Sequence, residues 1–520
     1  MEHIDAHVVE SSGQQSVMLG SEPSTVADIA AIAAGATVTV QAEALKTVQR
    51  TQALIGRALA SGKAIYGLTT GVGDLYTKRL SSEEVSRAQL NMLKSHACGV
   101  GAPHESTAVR AIMATMIKSL LQGASAVSPD LIETMVAMLN RGVTPWSPRK
   151  GSVGYLITTA HIGLVIFGHG QAWYKGELLD GGEAMRRAGI PVRNPGPREG
   201  HALLSGTYEI TGIGALAVHR MEQLIAVADV AGAMSLEALK GNSRGYDERL
   251  QRLRPHQGQT ETARRLLKLL SNSEILDAYK DHRLQDALSL RCIPQVHGSV
   301  RDAIEYCKGI LTIEINSVTD NPVFLIEDDE LVALPGGNGH GAPTALALDF
   351  LAVAIAEVST MSQARSDRLT NEHVSELPAF LVGASGANSG LMIPPYVAAA
   401  LAAQNRSLAA PATVHTVSTC AGQEDHVSMG VMAAQKAMEA ADNTADILGI
   451  ELLCAAQALE FHRPLHGGRG TRAVFDAIRT VVPALDADRE LHRDLSAIRG
   501  LVDGGVIGGI VERVVGVRGG

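Results

Sequence analysis

Aromatic residues are scarce in this 520-residue chain: six Phe, two Trp and nine Tyr make up 3% of it. Sandwiches and barrels are built from aromatic and β-branched strands. Their scarcity here, beside abundant Ala, Leu and Gly, favours packed helices with small contact residues. Clustered Lys and Arg are missing too, and the net charge is −9. Nucleic acid or an anionic membrane would require a basic patch, so the expected partner is a small molecule. The five cysteines, Cys98, Cys292, Cys307, Cys420 and Cys454, are odd in number, scattered, and never form a CxxC pair. That spacing argues against a disulfide framework and a zinc site, and for a reducing compartment. No apolar run approaches the ~18 residues of a membrane span, and the opening MEHIDAHVVESSGQQSVMLG has no apolar core segment of the kind a signal peptide needs. A soluble cytoplasmic protein without a metal is expected.

What is present is a 46% hydrophobic chain, ample for a large core. Residues 1–20 read as a flexible polar tail. Residues 21–200 alternate short helical patterns with glycine-rich loops such as YGLTTGVGD and PWSPRKGSVG, and are expected to build the site. From 201 to 520 the texture changes to long segments with apolar residues three and four apart, among them GIGALAVHRMEQLIAVADVAGAMSLEAL and APTALALDFLAVAIAEVSTMSQARSDRL. This is the period of buried helices, and the expected class is mostly α: a long-helix bundle followed by C-terminal helices. The last residues, GGVIGGIVERVVGVRGG, are expected to fray.

Several short stretches could carry chemistry. Tyr66 lies in IYGLTTGVGD, which has neither the GxGxxG spacing nor the Lys-Ser/Thr ending of a phosphate cradle. His96 stands in LKSHACGVG. Gln285, Leu288 and Arg291 fall within LQDALSLRCIPQVHG, where a cation in an apolar context calls for a carboxylate partner, which substrate could supply. Asn316, Asp320 and Asn321 precede Pro322 in a turn-like INSVTDNPVF, and Gln423, Glu424 and His426 begin a helical pattern in AGQEDHVSMG.

Together and in this order, these stretches resemble the histidine and aromatic amino-acid ammonia-lyase family from about residue 22 to the C-terminus. The resemblance implies a homotetramer of the ammonia-lyase/fumarase-like helical type acting on a small amino acid. Its most specific motif, GSVGASGDLAPLAH, is matched by Gly151 to Gly154 and by Ala160-His161. In the family the Ala-Ser-Gly triplet cyclises into a 4-methylidene-imidazol-5-one electrophile. Here Tyr155 to Thr159 span the remainder and the triplet has no counterpart. The resemblance assigns Tyr66, Tyr155 and Ser205 to catalysis, with Ser205 and Tyr155 standing where the family has Asn and Asp. It assigns His96, Gln285, Leu288, Arg291, Asn321, Gly339, Gln423 and Glu424 to the substrate, Arg291 for a carboxylate and Glu424 for an imidazole.

Without the triplet, no prosthetic group is expected. The favoured reaction is then elimination from a substrate that carries its own activation, such as the trimethylammonium betaine ergothioneine, with Tyr66 as base and Leu288 and Gly339 leaving room for the methyls. The alternative is an ordinary histidine-type or aromatic ammonia-lyase or aminomutase that uses the electrophile. A third reading, of another class, is a non-catalytic homologue that binds an imidazole ligand or a partner subunit.

Overall fold

The computed structural model describes residues 15–61 and 64–516, with 82 and 83 described by their backbone alone. Residues 1–14 of the expected tail lie outside this range. The rest of that expectation is corrected: Ser16–Leu19 is a strand paired in parallel with Thr37–Val40. The buried Lys118 ammonium donates to the carbonyls of Gly20 and Glu22 at 2.5 and 2.7 Å, which ties the residues after the strand down.

The chain divides into two compact units. The first comprises residues 1–216, 310–345 and 415–432. The second comprises 217–309, 346–414 and 433–520. The position 200 read from the sequence as a boundary falls inside the first unit. Four of the divisions fall within long helices: Tyr208–Ala238, Ile293–Ile315, Ala342–Thr370 and Gly430–Glu460. Three of these match the long periodic segments to within a few residues, because Ala, Leu, Ile and Val recur on almost every turn and the helices are buried on most faces.

In the first unit, Ser106–Leu120 is a central helix, buried without a break from Ala111 to Leu120. Val26–Ala33 and Pro129–Arg141 pack on it, and Ser82–His96 packs on Ile157–Ile166. The helix Val26–Ala33 starts at a reciprocal cap, in which Thr25 accepts from the Asp28 amide and Asp28 accepts from the Thr25 amide at 2.7 Å. The strands are short: an antiparallel pair Val100–Pro103 with Pro148–Lys150, a three-stranded sheet ordered Thr144–Pro145, Gln171–Tyr174, Glu177–Asp180, and a hairpin Val323–Glu327 with Glu330–Leu334. Asn316, read as a turn residue, bridges both backbone groups of Ser24 at 2.8 Å.

The second unit is helical and holds two buried ionic clusters. Asp229 accepts from His297 Nδ1 at 3.0 Å, Arg265 Nε at 3.2 Å and Arg301. Its carboxyl is held down at about 2 because these cations outweigh its burial. Arg365 and Glu451, both fully buried, make a two-point pair at 2.5 and 2.9 Å, with Ser235 donating to the same carboxylate. The expected fraying at the C-terminus is corrected: Val506–Val515 is a helix burying Ile507, Ile510, Val511 and Val515 against Arg469–Arg479 and Gln257–Leu269. Residues 517–520 of that stretch lie outside the description.

One expectation about membranes also changes. Among the described residues, Ala342–Thr370 is long and apolar enough to cross a bilayer by length and composition. Two-thirds of its apolar window is buried inside the protein, as in a core helix. The pair between Arg365 of this helix and Glu451 of Gly430–Glu460 gives a stability prediction. Glu451→Ala strands a buried guanidinium and should cost about 3–5 kcal/mol in urea unfolding, whereas the double change Arg365→Met/Glu451→Leu should recover most of it.

Candidate active site

Five of the expected site residues of the first unit, Tyr155, Asn321, Gly339, Gln423 and Glu424, come together where three loops meet. A pocket of about 180 Å³ is lined by Tyr155, Asn321, Gly339, His340, Gln423 and Glu424, among others. Tyr155, in the loop before the helix Ile157–Ile166, is half-buried. Burial, and then the Glu424 charge, push its phenol well above the ordinary value. It is therefore a neutral hydrogen-bond donor at physiological pH. A Cβ added at Gly339 would stand 4.0 Å from the Tyr155 ring, so the open space at Gly339 faces that ring.

Tyr66 is half-buried beside this pocket, on the loop after the helix Ile55–Ala60. Burial raises its pKa and the Glu424 charge adds to the rise. The Gly73 amide, which donates to its oxygen at 3.0 Å, and the Arg198 cation oppose it. The ring rests edge-on against the His201 imidazole, with centroids 5.7 Å apart. His201 is 5% exposed, and burial followed by the Arg198 charge hold it neutral. The next residue, Gly67, has φ +64°, and a Cβ there would stand 2.0 Å from His201 Nδ1. Only glycine fits a turn pressed this closely onto a ring.

Beneath lies a buried ion pair. Arg198 and Asp320 are both closed to solvent, and Arg198 Nη2 donates to Asp320 Oδ1 at 2.6 Å and to the Pro322 carbonyl at 3.2 Å. The Asn321 amide donates to Asp320 Oδ1 at 2.7 Å and to Ser205 Oγ at 3.0 Å. Ser205 Oγ in turn donates to the Asn321 carbonyl at 3.3 Å. Ser205 is thus a buried clamp on the Asn321 backbone and does not line the pocket. Asn321 Oδ1 accepts from the Gly336 amide at 2.9 Å, which fixes the glycine-rich rim leading to Gly339.

His96 ends the helix Ser82–His96 with Nδ1 against the Met92 carbonyl at 2.8 Å. Glu424 accepts from Thr419 Oγ1 at 3.1 Å, and His340 and His426 face each other at 3.1 Å across the pocket rim. Gln285, Leu288 and Arg291 belong to the second unit. There Gln285 and Leu288 are exposed, and Arg291 ends the short helix Leu288–Arg291 with its buried Nε lacking a partner. The sequence reading passed over Arg198, His201 and Cys420. His201 gave one signal, a titratable ring in the otherwise apolar HALL.

The family model for aromatic amino acid lyases matches residues 24–480. The chain belongs to the aromatic amino acid lyase family. Histidine ammonia-lyase from Alkaliphilus metalliredigens is 44% identical over 483 residues, 92% of this chain and 95% of that one. The crystal structure of histidine ammonia-lyase from Trypanosoma cruzi superposes with a TM-score of 0.90 at 34% identity, covering 96% of each chain. The ergothionase structure from Treponema denticola gives 0.88 at 28% identity, covering 95% and 99%. This member of the family is a mostly helical carbon–nitrogen lyase.

These matches correct the expectation that no prosthetic group belongs here. Histidine ammonia-lyases among its relatives carry the methylidene-imidazolone. Ser152 Oγ takes the Gly154 amide at 3.3 Å and donates to the Tyr155 carbonyl at 3.2 Å. Closing a ring there would require the amide of β-branched Val153, whose carbonyl is held by the Met429 amide at 2.8 Å. Gly151 to Tyr155 do not fit the group's precursor.

The Gly67 turn gives the prediction of this section. Gly67→Ala should destabilise the protein by about 1–3 kcal/mol through strain and collision with His201. His201→Ala in the same chain should relieve the collision part, read as coupling in a double-mutant cycle of denaturant unfolding.

Proposed function

We propose that this lyase removes the amine from a histidine-like amino acid, leaving a conjugated acrylate. The observation that carries the reading is the pocket and its flank: a neutral tyrosine, Tyr155, and a carboxylate, Glu424, line it, and Tyr66, near enough to feel the Glu424 charge, stands beside it. The β-proton of an amino acid is weakly acidic, so its removal needs a strong base placed against it, and a phenolate of raised pKa is one. Tyr66 takes that proton. Tyr155 donates to the substrate and Glu424 accepts from an imidazole N–H, and in the tetramer proposed below Arg291 of another copy, with an unpartnered Nε, binds the carboxylate by its planar fork. Relatives at 40–44% identity named histidine ammonia-lyase support deamination over trimethylamine elimination, because the ergothionase is the more distant at 28%. The five free thiols support a reducing, cytoplasmic setting.

The test is a substrate panel. Purified protein is given histidine, tyrosine, phenylalanine and ergothioneine, and acrylate absorbance is followed. Histidine should turn over fastest. Turnover of ergothioneine alone would overturn the proposal in favour of the betaine, and inertness toward all four would move it to ligand binding. Arg291→Lys should raise KM at least tenfold while kcat falls less than threefold, since a point charge replaces a fork; the reverse pattern places Arg291 in the chemical step.

We also propose a homotetramer. On one face of Ala342–Thr370, Leu346, Phe350 and Val353 are 59%, 47% and 44% exposed, an apolar stripe at helical spacing that another copy would cover. Sedimentation at micromolar concentration should give four chains, and a monomer would contradict it.

A further inference from the structure

The loop that carries Glu424 is unusually tight. Thr419 and Glu424 close it through Thr419 N–H to the Glu424 carbonyl at 2.8 Å and the reverse bond at 3.3 Å. Between them Cys420, Ala421 and Gly422 all have left-handed φ, at +51°, +53° and +85°. Two non-glycine residues in that region cost energy and persist only where the surroundings hold them. The side chain that this turn aims outward is the Cys420 thiol.

That thiol meets the loop of Tyr66. Cys420 Sγ accepts from the Asp74 amide at 3.4 Å. One residue earlier, the Gly73 amide donates to Tyr66 Oη. Gly73 has φ +57°, and a Cβ there would stand 2.6 Å from Cys420 Sγ, so the thiol lies against a turn that has no side chain to keep it away. Two consecutive amides thus point in two directions, one at the phenol and one at the sulfur. The turn is closed at its base by Gly71 N–H to the Lys78 carbonyl at 2.9 Å.

We propose that Cys420 is a positioning residue for the base: its thiol anchors the Asp74 amide and thereby keeps the Gly73 amide on the oxygen of Tyr66. The proposal rests on Tyr66 being the base named above. An amide donated to a phenol oxygen favours the phenolate, and here it works against burial and the Glu424 charge. The other groups facing Tyr66 are the Arg198 cation, which also favours the phenolate, the neutral His201 ring, the Tyr155 phenol and Cys420 itself, whose direct influence raises the Tyr66 pKa but is smaller than that of the Gly73 hydrogen bond. Because Cys420 and Glu424 share one closed loop, the carboxylate that faces the substrate and the anchor of the base move as one piece.

The experiment reads Tyr66 directly. The nine tyrosines are replaced biosynthetically by 3-fluorotyrosine, and the fluorine resonance absent from Tyr66→Phe is followed against pH in wild type, Cys420→Ala and Cys420→Ser. Cys420→Ala should raise the Tyr66 midpoint by about 0.5–1 pH unit, the size of one amide hydrogen bond. Cys420→Ser, which can still accept from Asp74, should fall back toward wild type. An unmoved midpoint in Cys420→Ala, or a serine variant that matches alanine, would overturn the proposal. The kcat/KM profile separates the two claims. If the rising limb follows the Tyr66 midpoint, both stand; if the midpoint moves and the limb does not, Tyr66 is not the base although Cys420 still positions it.

Discussion

The buried pair Arg198–Asp320 is the constraint on which the candidate site rests. Neither side chain reaches water, and each would be prohibitively costly to bury without the other. Their contact joins segments 122 residues apart. Around it the backbone has little freedom: Asn321 is gripped by Asp320 and Ser205, Gly336 by Asn321, and His201 follows Arg198 within one turn of helix. The floor of the pocket, the rim at Gly339 and the ring under Tyr66 are all set by this one pair.

Above that floor the chemistry is a matter of opposing terms. Burial and Glu424 push both Tyr66 and Tyr155 toward the neutral phenol. Tyr66 differs because it has the Gly73 amide and the Arg198 field in its favour. Two phenols near one carboxylate are thereby suited to the different duties proposed for them, one to give up a proton and regain it from substrate, the other to stay protonated and donate. Environments that push like groups apart in acidity are what general acid–base chemistry requires.

Much of this was legible in the sequence, and the failures have physical reasons. The long helices were legible because apolar spacing repeats along their length, whereas Tyr66, Glu424 and Gly339 were singled out through the family resemblance and by no strong local pattern. Arg198, Asp320 and Cys420 act through partners more than a hundred residues away, which no local pattern reveals. Ser205 was read by its place in a family motif, yet burial turns its hydroxyl into a clamp on Asn321. The C-terminal glycines suggested fraying, but Ile507, Ile510, Val511 and Val515 keep a helical stripe between them. The missing triplet led to an expectation of no prosthetic group, and it outweighed the likeness over residues 24–480 that corrects it.

The central claim is that Tyr66 removes the β-proton of a histidine-like substrate as its amine departs. Histidine tritiated at the β-carbon tests it most directly, with tritium release to water and ammonia release measured on the same sample. The account predicts that the two appear together in the wild-type protein and that both stop in Tyr66→Phe while histidine still binds. Ammonia released by Tyr66→Phe at the wild-type rate, or ammonia released without tritium, would contradict it.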